Sequence, residues 1–246
     1  MSLQESRTIS HVGRASLRPF SAGPLTERMF ETAIRAAGVM RRVLLAAALI
    51  GAGNLATAAD FKAGEHFAEV SPGIGTVSTD IADGQTEVVE LFWYGCPHCY
   101  SFEPILEAWV EEKPDNIVVT RVPAVFNKRW AFHAQVFYTA EVLGVLDQIH
   151  RPLFDAIHKG RRQMATEDEI AELFESVAGV DRATFDQAFN SFAVDAKLRR
   201  AAQITRDAKL TGVPALMIGG TARTTASQAG GYEQMLELAE ALSDSQ

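Results

Sequence analysis

Cys96-Pro97-His98-Cys99 holds the only two cysteines of the 246-residue chain, and the spacing admits three chemistries. A structural disulfide across so short a loop gains little closure entropy and strains its own geometry. A zinc half-site needs two more ligands at matching spacing. The sequence has no further cysteine and no His-x₃₋₅-His pair close enough to supply them. A redox dithiol needs two sulfurs in reach of each other at a helix N-terminus that follows a strand, and the flanking residues predict that setting. The redox reading therefore fits best.

The placement assigns roles. Cys96 stands at the helix start, near unpaired backbone N–H groups and the positive end of the helix dipole, where a thiolate is stabilised. His98 lies between the sulfurs and can add a donor or a positive charge, or serve only as a surface spacer. Pro97 offers no N–H and fixes the turn. Cys99 sits one turn in and should be the more buried. Cys96 is then the attacking or attacked sulfur, and Cys99 resolves the mixed disulfide. A stabilised thiolate favours the reduced pair, so the oxidised pair should oxidise other proteins.

The elements that must position this pair are legible on either side. Glu87 to Phe92 reads as a buried strand bounded upstream by Asp83-Gly84. Gly95 breaks it, and Pro97 suits a first helical position. The helix runs to about Glu112, with Phe102, Ile105, Leu106 and Trp109 on one face, and Pro114-Asp115-Asn116 stops it. Ile117 to Val122 is a second strand, completing a right-handed βαβ unit.

From about 127 to 202 the pattern is helical throughout. Phe132, Val136, Ala140 and Leu143 mark one helix, closed by Gly144, and Ile149, Leu153 and Ile157 a shorter one. Thr166-x-x-Glu169 is a capping box ahead of Ile170, Leu173, Phe174 and Val177. Phe185, Ala188, Phe189 and Phe192 predict a fourth helix, and about Val194 to Leu210 a long fifth. Gly212-Val213-Pro214 interrupts this block. Ala215 to Ile218 and Thr221 to Thr224 form a hairpin about Gly219-Gly220, and Gly231 to Leu242 a last amphipathic helix. The fold class expected is α/β with an inserted helical domain. The remaining histidines singled out, His66, His133, His150 and His158, read as scattered positions without ligand spacing.

Composition and charge narrow the function classes. Residues 1–58 carry seven Arg against three Glu, whereas the rest carries 16 basic and 28 acidic groups, a net of −12 within an overall −8. An acidic body repels a phosphate backbone, which argues against nucleic acid as a partner. Arg41-Arg42, the apolar stretch Val43 to Ala52 and the small-residue run Ala56 to Ala59 are the three parts of a secretory signal peptide, with cleavage expected after Ala58 or Ala59. An uncleaved anchor is disfavoured because that stretch is about half the ~20 residues a spanning helix needs. Residues 1–39 do not fit a signal peptide, which should begin at its basic segment, so translation is expected to start at Met40, with a genuine extended leader from Met1 as the alternative. The expected division is residues 1–39 as a non-native extension, 40–59 as signal peptide, 60–126 with 203–246 as one domain, and 127–202 as the helical insertion.

With these residues in view, the chain resembles the DsbA family, bacterial periplasmic disulfide-forming proteins of the thioredoxin superfamily. The resemblance spans about Phe61 to Ser243 and rests on Glu90 to Glu103 (ELFWYGCPHCYSFE), Asn190-Ser191-Phe192 and Gly212-Val213-Pro214-Ala215. It implies a thioredoxin fold, a cis Pro214 facing the sulfurs, and a Val213 backbone that adds an extended substrate segment as a strand. It places Glu90 as a buried acid beneath the cysteines. The residues alone put that acid mid-strand and leave a solvent-facing position open. It further implies a monomer without bound cofactor or metal, acting in the periplasm on reduced cysteines of newly exported unfolded proteins, and reoxidised by DsbB, a quinone-linked membrane protein. Trp93-Tyr94-Gly95 departs from the best-known members and bears on substrate and partner fit. Two rival functions stand beside this one. A disulfide isomerase or reductase of the superfamily is disfavoured by the Pro-His dipeptide and by the short segment, about 25 residues, ahead of the first strand. A non-redox holdase would grip unfolded chains in an apolar groove.

Overall fold

The computed structural model describes residues 61–244. The expected extension at 1–39 and the signal segment at 40–59 lie outside them. Strands β1 (Ala68–Glu69), β2 (Thr86–Phe92), β3 (Ile117–Pro123), β4 (Ala215–Ile218) and β5 (Ala222–Thr225) form one sheet in the order β1-β5-β4-β2-β3. β2 and β3 are parallel, from Thr86↔Ile117 to Phe92↔Pro123, and helix α1 (Pro97–Glu112) makes the crossover between them. β4 runs antiparallel to β2, with Val88↔Ile218 and Leu91↔Ala215. Every residue of the central β2 is buried, which is why its sequence reads as a run rather than an alternation.

The sheet separates two apolar clusters. Val88, Leu216 and Ile218 pack with Phe102 and Leu106 of α1 and with Met235 and Leu238 of the last helix. Val89, Leu91, Ala215 and Met217 belong to the larger cluster, which takes in the helices between β3 and β4. Those are α2 (Lys128–Val142), α3 (Leu146–His158), α4 (Glu167–Ala178), α5 (Arg182–Phe189) and α6 (Phe192–Asp207), and after β5 come α7 (Ala226–Ala229) and α8 (Tyr232–Ser243). α6 runs unbroken to Asp207, past the boundary expected at 202.

Local signals set the helix ends. Asn127 accepts from the N–H groups of Arg129 and Trp130 at the start of α2, and the Thr166–Glu169 capping box opens α4, whose C-cap Gly179 is left-handed. Asp181 and Ser191 cap α5 and α6 through the N–H groups of Thr184 and Val194. That last cap corrects one expectation. Phe192 does not continue the buried stripe of Phe185, Ala188 and Phe189; it opens a new helix and is 80% exposed. β1 and α7, two and four residues long, were not anticipated. Among the described residues no helix is long and apolar enough to cross a membrane.

The β4–β5 hairpin turns on Gly219 (φ 54°) and Gly220 (φ 67°), with Thr221 N–H donating to the Ile218 carbonyl. The Gly220 carbonyl accepts from Ile74 N–H at 2.8 Å, which ties this turn to the loop after β1. A Cβ at Gly220 would stand 1.8 Å from the Ile74 carbonyl oxygen, whereas one at Gly179 (φ 67°) meets nothing within 4 Å. Gly179→Ala should cost only the left-handed strain of about 1–2 kcal/mol. Gly220→Ala should exceed it, because a backbone clash is added. Urea unfolding of the two variants checks the ranking, and equal losses would contradict it.

Candidate active site

Cys96 is the N-cap of α1, with φ −89° and ψ 117°, and Pro97 follows at the first helical position. Its Sγ accepts from the Cys99 backbone N–H at 3.4 Å. The chain enters through a turn in which Cys96 N–H donates to the Trp93 carbonyl at 2.9 Å. Gly95 lets this turn close against the indole of Trp93, since a Cβ there would lie 2.3 Å from the ring. That indole stacks on Trp130 of α2, with centroids 4.4 Å apart and planes at 11°. Both cysteines are free thiols, Cys96 8% exposed and Cys99 fully buried.

The two thiols are pushed in opposite directions. Cys96 is lowered to about 6, first by the hydrogen bond it receives from the Cys99 thiol and then, against the penalty of burial, by the backbone N–H groups of Cys99 and His98. The charge of His98 also lowers it, but less than these. The sequence put the helix-start N–H groups first and let His98 add a donor or a charge, or serve as a spacer; in the structure the Cys99 thiol and the helix backbone outrank His98, which is exposed. Burial holds the Cys99 thiol far above its ordinary value. One sulfur is thus ready to ionise near neutrality and the other is not.

The Val213–Pro214 bond is cis, and the Cys96 thiol lies 3.5 Å from the Val213 carbonyl oxygen, which accepts from it. β4 begins immediately after, so its pairing with β2 carries Val213 and Pro214 to the mouth of α1. An open groove of about 490 Å³ adjoins them, with His98, Gly212, Val213, Pro214, Thr225 and Tyr232 in its wall. The Tyr232 hydroxyl donates to the His98 carbonyl at 3.1 Å, tying α8 to the motif.

Beneath the cysteines lies a buried charge cluster. Glu90 is fully buried, so the solvent-facing position left open by the sequence does not apply. Its Oε2 accepts from Arg121 Nε at 3.2 Å, and its Oε1 has no partner. Burial raises Glu90 to about 8, helped by the charge of Glu103 and opposed by Arg121. Glu103, also fully buried, accepts from Arg121 at 2.6 Å and from His150 Nε2 at 3.2 Å. Burial resists its ionisation, but the hydrogen bond and charge of His150, with Arg121, overcome it and hold Glu103 below the usual carboxylate range. His150 Nδ1 lies 2.8 Å from the Tyr94 hydroxyl, and His158 Nε2 donates to the Tyr94 carbonyl at 2.7 Å.

Of the expected site residues, the fold brings Cys96, Pro97, His98, Cys99, Val213 and Pro214 together, and Glu90 is buried where its charge helps raise the Cys99 thiol. Glu103, Arg121, His150 and His158 were missed. Glu103 was within the quoted motif without a role. The two histidines were read as scattered, and only their eight-residue separation on one helix hinted at a shared face. No group of three or more His, Cys, Asp or Glu side chains suited to a metal occurs among the described residues.

Comparison with known proteins adds to this geometry. The profile of the DSBA-like thioredoxin domain matches residues 118–243. The thiol:disulfide interchange protein DsbA of Pseudomonas aeruginosa is 39% identical over 206 residues, covering 82% of this chain and 95% of that protein. The protein of the same name from Azotobacter vinelandii is 37% identical over 211 residues, covering 82% and 96%. The crystal structure of Pseudomonas aeruginosa DsbA superposes with a TM-score of 0.69 at 38% identity, covering 76% of this chain and 94% of that one. The expected thioredoxin fold with its helical insertion agrees with these matches.

Two titrations follow from the buried groups. The Cys96 pKa falls on folding from 9.0 to about 6, so ionised Cys96 stabilises the reduced protein fully above pH 9 and no longer below about 6. Reduced parent compared with Cys96→Ser by urea unfolding should therefore gain stability as pH rises through that window; a flat difference would contradict the thiolate. Glu90 shifts the opposite way, from 4.5 to about 8. The native state keeps its proton longer than the unfolded chain, so stability falls as pH rises from about 4.5 to 8. Glu90→Gln should remove that slope, and the variant should gain on the parent across the same range.

Proposed function

The chain belongs to the DsbA family of thiol:disulfide oxidoreductases, and on that premise we propose that it works as an oxidant, passing a Cys96–Cys99 disulfide to newly exported proteins in the periplasm. A client thiolate attacks Cys96 Sγ, the Cys96–Cys99 bond breaks, and Cys99 leaves as a thiol after taking up a proton. A second client thiolate then attacks the client sulfur of the mixed disulfide and expels Cys96. The client loses two electrons and two protons in forming its disulfide, and the pair gains both electrons. The final leaving group is Cys96, which the N-terminus of α1 holds as an anion, so release is favoured.

The observation that carries the reading is the Cys96 sulfur at the N-cap of α1, bonded to Cys99 N–H and lowered to about 6. Buried Cys99 is suited to resolve complexes from within rather than to meet clients. The Val213 backbone beside cis Pro214 offers an edge to an extended client segment. Pro97 and His98 shape the mouth of the pair, and Glu90 sits below as a buried acid that a proton can reach or leave near neutrality. In line with the family resemblance, we read the chain as a monomer without bound cofactor, reoxidised by a quinone-linked DsbB-type membrane protein. We read the mature chain as starting after Ala58 or Ala59, with residues 60–126 and 203–246 forming the thioredoxin-like part around the 127–202 insertion.

Replacing Cys96 with Ser, with folding intact, should reduce oxidation of a reduced unfolded client to the uncatalysed level. Cys99→Ser has no disulfide of its own to donate; with Cys96 first capped as its glutathione mixed disulfide, it should exchange glutathione for a single-cysteine client and, lacking the Cys99 thiol to expel it, keep the Cys96–client disulfide, visible on non-reducing gels. Equilibration with glutathione should show an oxidising couple. A strongly reducing couple would turn the reading towards a reductase, and unchanged client protection by Cys96→Ser towards a holdase.

A further inference from the structure

One helix of the insertion holds Tyr94 at both ends. His158, the last residue of α3, donates from Nε2 to the Tyr94 carbonyl at 2.7 Å. A carbonyl only accepts, so that nitrogen carries the proton. His150, eight residues earlier, lies on the same face. Its Nδ1 meets the Tyr94 hydroxyl at 2.8 Å and its Nε2 the ionised Glu103 at 3.2 Å. The Tyr94 ring is fully buried and packs edge-on against Phe92 and Phe154.

Tyr94 lies inside the turn that delivers the reactive sulfur, between the Trp93 carbonyl and the Cys96 N–H that donates to it. The same helix grips the far side of the motif. The Tyr100 ring stacks on His158 with centroids 4.7 Å apart, and its hydroxyl donates to Asp155 at 2.8 Å. The Cys99 N–H to Cys96 Sγ bond, at 3.4 Å, depends on this turn. Hydrogen bonds weaken steeply as they misalign, so a small rotation at Tyr94 is enough to weaken it.

We infer that His158 and His150 are positioning residues for Cys96: by fixing the carbonyl and the hydroxyl of Tyr94 they hold the Trp93–Cys96 turn in the setting that aims the sulfur at the N-terminus of α1. The inference rests on the role proposed above for Cys96 and adds that the insertion sets the reactivity of the pair. The family motif itself contains neither histidine.

The test is a pH titration of Cys96 thiolate absorbance in the reduced mature protein, with the glutathione equilibrium measured alongside. His158→Phe keeps a ring to stack on Tyr100 and has no N–H to donate. It should move the thiolate midpoint up by roughly half a unit to one unit, about three- to tenfold in the thiolate-to-thiol ratio. His158→Gln places an amide N–H near the former Nε2 and should restore most of the shift. Tyr94→Phe removes only the hydroxyl held by His150 and should shift the midpoint the same way. Loss of packing alone would lower the unfolding midpoint of these variants without moving the thiolate. Folded His158→Phe and Tyr94→Phe proteins that titrate as the parent does would overturn the inference while leaving the role of Cys96 intact. Should His158→Phe fail to fold, an unmoved midpoint in Tyr94→Phe overturns it equally. A parent Cys96 that titrates as an ordinary thiol would overturn both.

Discussion

A sulfur anion at the mouth of a helix is the interaction on which this molecule turns. The first turn of any helix leaves backbone N–H groups without intrahelical partners, and here one of them, from Cys99, is aimed at Cys96 Sγ. The rest of the architecture keeps that alignment. β2 carries the chain to the site through a fully buried strand, Pro97 opens the helix without wasting a donor, and β4 brings the Val213 carbonyl beside the sulfur, where it accepts from Cys96 only while that group is a thiol. An apolar sandwich would form without any of this; the placement of one sulfur is what the particular residues decide.

The charges beneath the pair form a second layer of the same design. The fully buried Glu90 and Glu103 share one partly exposed arginine, Arg121, so their carboxyls part company: Glu103 stays ionised with help from His150, and Glu90 holds its proton to about pH 8. Two like charges that close cannot both be satisfied by one guanidinium.

How far the sequence revealed this depends on the range of the interactions. The β2–α1–β3 unit was legible because an apolar run, a proline at the first helical position and a stop after Glu112 are local facts. The capping box at Thr166 was equally legible. β1 was not, because its two residues are a strand only through Ala68↔Arg223 and Glu69↔Ala222. Phe192 misled because its spacing from Phe185 and Phe189 is helical, while Ser191 restarts the helix between them. At the site, Cys96 and Cys99 announced themselves by spacing. Glu103, Arg121, His150 and His158 did not, since their partners lie tens of residues away and no period connects them. His98 attracted weight by lying between the sulfurs, yet the thiol of Cys99 and the backbone act on Cys96 more strongly.

The contact between Gly95 and the Trp93 indole bears on how such motifs can be exchanged. A side chain at 95 would occupy the space of that indole, which in turn lies flat on Trp130 from the helical block. Three positions on two parts of the fold are therefore a single unit of variation. A segment brought into this scaffold with a side chain at 95 has to change Trp93, and with it the stack on Trp130, whereas an exchange confined to positions 96–99 leaves that contact as it is.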